Sequence, residues 1–416
     1  MSKNRLSSEA KAWILYDGGN SAFATTVIAA FFPIFFKEYW ASDLSNVVST
    51  SYLGWGLTIS NLALLFTAPF IGAVTDISRS TKLLFSGFAF VSIICVAALY
   101  VIPKGSWLSA LIFFGIANYC FAAGNTLYDK MLLQVSDQSN IAKISSYGFA
   151  FGYFGGGLLF VVNALMTLKP EFFGLSGSEE AVKWSFLSVS VWWTLFLIPI
   201  MLKIKDEGTH LPGNHFLMAF QKVIKTIKTV SSQKNIFIFL IAFFLYIDGV
   251  HTIMAMATDF ALNIGLETPD IITALVLVQF VAFPTTLMWS KLAYKFGDKN
   301  ILLFTIALYL IILAYTAFLS NAIEFYVLAS MVGAVQGGIQ SISRSYYATL
   351  IPAGDAGEYF GFYNMFGRAG AFLGPALVAI FVTIFKDPTY GLIPIAALFI
   401  MGGIILLNVR NYNESV

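Results

Sequence analysis

Two aspartates stand inside apolar runs where a carboxylate has few ways to persist. Asp248 lies near the middle of LIAFFLYIDGVHTIMAMATDFAL, Leu240 to Leu262, with His251 on the next turn. Asp17 belongs to YDGGNS, Tyr16 to Ser21, in the first apolar run of the chain. A carboxylate at such a depth costs about 3 kcal/mol or more unless it is paired, hydrated or protonated. Such a group either ties neighbouring helices together or takes up and releases a proton as water reaches it. Asp248, the deeper of the two, is the first choice for proton coupling and Asp17 the second.

Two arginines supply counter-charges. Arg368 falls roughly 16 Å into its run at 1.5 Å per residue, close to a midplane. Its planar fork suits a carboxylate held through two parallel hydrogen bonds. An anionic substrate group or Asp248 itself fits that role, as does a static ion pair. Arg344 is only about 9 Å from the end of its helix, near enough to snorkel. It reads as a gate or loop anchor rather than a ligand.

Polar amides form a third group. Gln336 and Gln340 share one helix face, as do Asn118 and, further along, Asn125. With Asn20, Gln279, Asn364 and His251 they make up a candidate substrate-binding set. Each alone serves equally well as glue between helices, but unpaired amides in hydrocarbon must point inward. Gly148, Gly152 and Gly156, then Gly333 and Gly337, then Gly370 and Gly374, repeat a four-residue spacing. That spacing lets helix backbones approach closely.

Composition says what must position these groups. Of 416 residues 58% are hydrophobic and only 11% charged, with Phe at 41 positions. Soluble domains carry about 25% charged residues. Apolar runs of about 20 residues recur throughout, the signature of membrane-spanning helices. Twelve spans are expected: 12–38, 47–75, 82–103, 107–133, 144–168, 182–203, 235–262, 269–293, 300–319, 323–350, 357–385 and 390–409. The connections on one side hold most of the lysines and arginines, from Lys3, Arg5 and Lys11 through Arg79, Lys82, Lys203 and Lys205 to Arg410. Those on the other side hold only Lys37, Lys104, Lys169, Lys183 and Lys386. The positive-inside rule then puts both termini in the cytoplasm. The polar start, Met1 to Lys11, leaves no signal for a cleavable leader.

The longest polar stretch, Lys203 to Lys234, divides the chain. Residues 1–203 are expected to form one six-helix bundle and 235–416 another, with 204–234 as a cytoplasmic linker. Phe216, Phe220, Val223 and Ile227 lie at helical spacing there, as in an amphipathic helix at the membrane surface. His210 and His215 read as solvated. Overlaid at an offset of 218, Gly115 meets Gly333, Asn118 meets Gln336, Tyr128 meets Tyr346 and Asp137 meets Asp355. Gly152, Phe154 and Gly156 meet Gly370, Phe372 and Gly374. Separately, Asp17-Gly18 falls on Asp248-Gly249. Six spans repeated in parallel are what two pseudo-symmetric transporter halves require.

Several function classes drop out. Cys95 and Cys120 lie apart in apolar runs and read as buried thiols. No metal site, cofactor or nucleic-acid surface is expected. No Gly-Lys-Ser/Thr phosphate loop is present, which leaves ATP coupling unsupported. No nucleophile–base constellation supports an enzyme. A lipid flippase stays open, since abundant Phe suits an apolar half-cavity. Asn413-Glu414-Ser415 matches a glycosylation triplet, but at a cytoplasmic tail it is chance.

Five stretches carry a family resemblance: WILYDGGNSAFATTVIAAFFPIFF (Trp13 to Phe36), YGFAFGYFGGG (Tyr147 to Gly157), FLIAFFLYIDGVHTI (Phe239 to Ile253), QGGIQSISRSYYATLIP (Gln336 to Pro352) and EYFGFYNMFGRAGAFLGP (Glu358 to Pro375). Through them the chain resembles the major facilitator superfamily. Within it, it is similar to the branch of vacuole-effluxer proteins linked to autophagy in fungi and their bacterial relatives. The superfamily's loop signature after the second span is partly kept as Gly72, Asp76, Arg79 and Lys82. Its second copy keeps Lys295, Gly297 and Lys299, with Tyr294 where the acid would stand. Where the branch usually has Trp-Ala after the first aspartate, Gly18-Gly19 stands here. The resemblance implies an all-α membrane protein of two six-helix bundles, working by alternating access, with Asp76, Arg79 and Arg344 at the gates. It implies a monomer in a bacterial inner membrane, moving a small organic solute in exchange or company with protons. An amino acid or related compound, exported, is the first expectation. Import of a carboxylate-bearing nutrient or peptide-like fragment is the alternative.

Overall fold

A computed structural model describes residues 6–44, 46–137, 139–206, 218–225, 233–263, 266–319, 321–352, 356–385 and 388–410. Within its helices the side chains of residues 46, 47, 50, 51, 54, 57, 58, 255–260, 262, 263, 268, 269, 368–372, 379, 382, 383, 388 and 389 lie outside that description. Among the described residues there is no strand.

Among the described residues twelve long helices follow one another: α1 (Ser8–Trp40), α2 (Asn46–Ser78), α3 (Thr81–Ala98), α4 (Trp107–Val135), α5 (Ile141–Leu168), α6 (Ser178–Lys203), α7 (Lys234–Asn263), α8 (Thr268–Phe296), α9 (Asp298–Thr316), α10 (Ala322–Leu350), α11 (Ala356–Phe385) and α12 (Leu392–Leu407). The first ten are long and apolar enough to cross a membrane. The 30 residues of α11 and the wholly apolar 16 of α12 complete the set. The expected spans lie on these helices to within a few residues. Helix α1 starts earlier than expected because the Ser7 side chain caps it, accepting from the Ala10 N–H at 3.0 Å. Within α1, Phe23–Phe31 and Phe36–Trp40 are wound as π-helix.

Packing repeats with the sequence. Helix α1 packs on α5 and α6, α2 on α4, and α3 on α4 and α6; α7 packs on α11 and α12, α8 on α10, and α9 on α10 and α12. Each pairing in the first half recurs six helices on in the second. The halves meet along α2–α11 and its counterpart α5–α8, and along α5–α10 and its counterpart α4–α11. Outer faces carry exposed apolar side chains such as Leu83, Val101, Ile198 and Ile323. Scattered so widely, they are the lipid-facing surface of a membrane protein rather than a single docking patch.

The start of α1, the α2–α3 turn, the linker and the end of α12 share one face, termed the linker face. Asp206 accepts from the Lys82 and Leu83 N–H groups at 2.6 and 3.2 Å. The Asn235 side chain and the Arg410 backbone exchange two hydrogen bonds. In the linker, residues 218–225 are helical. Ala219 and Val223 are buried, and Phe220 stacks on Phe70 of α2 at 5.8 Å. This turn therefore docks on the protein, whereas the apolar spacing suggested only a membrane surface. Phe216, Ile227, His210 and His215 lie outside the described residues. Cys95 and Cys120 are buried free thiols.

Candidate functional site

The two intramembrane aspartates sit in matching settings. Asp17 is 7% exposed, and its Oδ1 accepts from the Ser21 hydroxyl, one turn on in α1, at 3.2 Å. Gly148 and Gly152 of α5 face it; a Cβ at Gly152 would stand 2.6 Å from Ser21 Oγ and 3.2 Å from Asp17 Oδ1. Asp248 is fully buried, and its Oδ1 accepts from Thr252, again one turn on, at 3.5 Å. Gly374 of α11 faces this pair: a Cβ there would overlap Thr252 Oγ1 and stand 2.9 Å from Asp248 Oδ1. In both aspartates Oδ2 is buried with no hydrogen-bond partner among the described residues. A glycine opposite each carboxylate is what lets α5 and α11 come this close. Gly249 is similarly pressed by the Phe399 ring of α12.

The most densely bonded charges lie elsewhere, on the seam between halves. Arg344 of α10 donates from Nη1 to Asp129 Oδ1 of α4 at 3.1 Å. Its Nε donates to Ser145 Oγ at 3.0 Å and its Nη2 to the Ser145 carbonyl at 2.9 Å. The guanidinium lies over the rings of Phe149 at 4.3 Å, Trp13 at 4.8 Å and Tyr128 at 5.7 Å. Asp129 Oδ2 accepts from Asn364 of α11 at 3.0 Å. Trp13 and Tyr128 form the aromatic wall: stacked at 4.2 Å, each donates to the other's backbone carbonyl. Snorkelling is thus corrected, because Arg344 is 3% exposed and turned inward. Its planar fork and weak hydration suit a buried, fully bonded site.

A second charge cluster sits at the linker face. Asp76 of α2 meets Lys130 Nζ of α4 at 2.8 Å and Lys222 Nζ of the linker at 3.3 Å. Its two oxygens also accept from the Gly357 and Glu358 N–H groups, both at 3.0 Å. A carboxylate on those amides caps the first turn of α11 and complements its dipole. Buried Glu358 approaches Lys222 at 4.0 Å. Gly72 lies so close to the Gly357 carbonyl that a Cβ would overlap it, and a Cβ at Gly361 would stand 2.6 Å from the Ala68 carbonyl. Arg79 takes no part: it is exposed beyond the end of α2 with φ of 52°, its N–H bonded to Thr75 O.

The amides divide into two sets. Asn20 donates to Asn125 at 3.0 Å and accepts from Tyr16, while Asn118 donates to Ser60 at 2.8 Å, all inside the first half. The others line the seam. Gln340 accepts from Tyr153 of α5 at 3.3 Å, Gln279 lies against Gly157 of α5, and Asn364 bonds Asp129. Gln336 is buried on α10 and His251 half-buried on α7. The Arg368 side chain lies outside the described residues. Asp129, Glu358 and Lys222 escaped the sequence reading. A signal existed for the first: adjacent Asp129 and Lys130, opposite charges near the end of a span, each need a separate partner.

These features define the class. Helices in two matching sets of six, meeting along paired seams, are the major facilitator fold, and known structures of that fold superpose on the chain. The human organic anion transporter MFSD10 does so with a TM-score of 0.72 at 13% identity, covering 96% of this chain and 99% of that one. The proton:xylose symporter XylE follows at 0.70 and 12%, covering 97% and 94%. Residues 44–413 match the family described as vacuole effluxer Atg22 like, and the chain belongs to that family. It is 33% identical over 405 residues to the uncharacterized MFS-type transporter YxiO of Bacillus subtilis, covering 97% of this chain and 95% of that one. Autophagy-related protein 22 of Cryptococcus neoformans is 27% identical over 273 residues, covering 60% of this chain and 47% of its own length. The chain matches about half the length of such fungal relatives. It is an MFS-type transporter, a multi-pass integral membrane protein and not an enzyme.

Proposed function

We propose that this transporter moves a small organic solute, an amino acid or related compound, out of the cytoplasm by alternating access coupled to protons. The linker face is the cytoplasmic one, because the lysine- and arginine-rich connections lie there. The observation that carries the coupling is the twin setting of Asp17 and Asp248, each with one oxygen bonded and the other without a partner among the described residues. An ionised carboxylate so placed needs water or a cation beside it. Rocking of one half against the other would open the seam that α11 shares with α2 and α4, admitting water toward Asp248 on the neighbouring α7 from one side and then withdrawing it. Asp248 is the main proton carrier, and Asp17 its counterpart in the first half.

Solute would be held at the seam, by Gln279, Gln336, Gln340, Asn364 and Arg368, with His251 alongside. Asn20, Asn118 and Asn125 would add amides from the first half, where they are held by their own hydrogen bonds. The Asp129–Arg344–Asn364 joint and the Asp76 cluster close the cytoplasmic side, with the bundles of 1–203 and 235–416 as the moving units and 204–234 as their tether. A monomer in a bacterial cytoplasmic membrane suffices for this cycle.

The test is transport by purified protein in vesicles under an imposed pH gradient, against a panel of labelled amino acids and related compounds. Gradient-driven flux is expected for the wild type and none for Asp248→Asn, with the variant folded and inserted. Wild-type coupling in that variant removes Asp248 from the mechanism. Counterflow in both orientations separates export from uptake of a carboxylate-bearing nutrient. Headgroup translocation measured beside it separates both from a lipid flippase.

A further inference from the structure

A cavity of about 700 Å³ opens at the linker face between the ends of α7, α9 and α12, with none of the candidate site residues in its lining. Its polar lining is Lys234, Asn235, Lys299, Asn408 and Arg410, with no carboxylate among the lining residues. Apolar side chains, Ile238 and Ile405 among them, make the rest of the wall. The backbone there is braced. Lys299 Nζ donates to the Leu407 and Val409 carbonyls, both at 2.7 Å, and Asn235 bonds the Arg410 backbone in both directions. An ammonium has three N–H donors, and two of those on Lys299 have acceptors among the described residues. Lys234 and Arg410 are exposed, and neither has a salt bridge among the described residues.

Beside the cavity, the outer face of α12 offers a continuous apolar strip. Ile400, Met401, Ile404 and Leu407 are exposed, and Leu407 belongs to both strip and cavity. Three cations above an apolar track at the end of spanning helices match an anionic lipid: phosphate among the cations, acyl chains along the track. A soluble phosphate would use the cations alone, whereas the lipid-facing strip of α12 sets acyl chains directly beside them. We propose that this cavity binds the phosphodiester headgroup of an anionic phospholipid at the linker-face membrane surface.

The full-length chain, taken from membranes mixing phosphatidylglycerol with phosphatidylcholine, is weighed with its retained lipid by native mass spectrometry. Selective retention of phosphatidylglycerol is expected. The double variant Lys234→Gln/Arg410→Gln should weaken it roughly 30-fold, at about fivefold per basic residue. The charge-keeping pair Lys234→Arg/Arg410→Lys should retain the lipid. The pair Lys291→Gln/Lys295→Gln, on the same face but outside the cavity, should leave retention unchanged. Equal retention in the double variant, equal loss in the outside pair, or loss in the charge-keeping pair would overturn the assignment. So would displacement of the lipid by millimolar glycerol phosphate, which would make the site one for a soluble phosphate.

Discussion

Arg344 of α10 and Asp129 of α4 meet at 3.1 Å although 215 positions separate them, and their bond joins the two halves of the molecule. Both are buried, and Ser145 and Asn364 occupy much of their remaining hydrogen-bonding capacity. Breaking a buried pair by removing one partner costs about 3–5 kcal/mol, because the other charge is stranded. Asp129→Asn should therefore destabilise the arrangement closed at the linker face. The readout is maleimide labelling of Ser146→Cys, a fully buried position bonded to Ser341, in a Cys95→Ser/Cys120→Ala background. Labelling should quicken on the order of tenfold or more; an unchanged rate would mean that the pair is not what keeps this face shut.

Asp76 and Lys222 touch, but the loss of each should weigh differently. Asp76 also holds buried Lys130 and two amides of α11, whereas Lys222 is 23% exposed. Asp76→Asn should lower stability by about 3 kcal/mol, and Lys222→Gln by no more than about 1 kcal/mol. Thermal unfolding in one detergent gives the order, and a larger effect from Lys222→Gln would reverse the assignment of the anchor.

Glycines at the seam should not tolerate a methyl group. Gly72→Ala and Gly361→Ala place a Cβ against the backbone of the facing helix, at Gly357 and at Ala68. Since backbone cannot turn aside, a loss of about 1–3 kcal/mol is expected. Gly115→Ala, with nothing within 4 Å, should instead gain about 0.5–1 kcal/mol from helix propensity. Melting temperatures that fail to separate these variants would contradict the close approach of α2 and α11.

Gly374→Ala tests the Asp248 setting without touching the acid. Its methyl would press on Thr252 and Asp248, with a cost of about 1–3 kcal/mol, enough for roughly tenfold slower gradient-driven flux. Gly152→Ala should do the same at Asp17 to a smaller degree, as the overlap is less. Flux equal to wild type in Gly374→Ala would show that the α7–α11 contact is irrelevant to transport.

Much of the architecture was legible because lipid imposes a single rule, long apolar helices, and the repeat could be read by overlay. The α7 aspartate stood out for the same reason, as charge against an apolar background. Asp129 did not, because it lies near the end of its span beside Lys130, where charges are ordinary. Its partner is fixed only by the packing of α4 against α10. Asp76 reads from the sequence as part of a loop signature, yet it binds the first turn of α11, 281 positions away. The amides illustrate the converse. Their shared helix faces were visible in the chain, but whether each met a neighbour in its own half or across the seam depended on how helices rotate.

Helix α1 has two stretches wound as π-helix, Phe23–Phe31 and Phe36–Trp40, beyond the turns that carry Asp17. A π turn closes its hydrogen bonds one residue later than an α turn. Rewinding a stretch to α geometry would lengthen the rod by about 1.5 Å for the released residue and twist its far end by roughly 100°. Helix α1 thus carries slack of its own, all of it beyond the turns that seat Asp17 on α5.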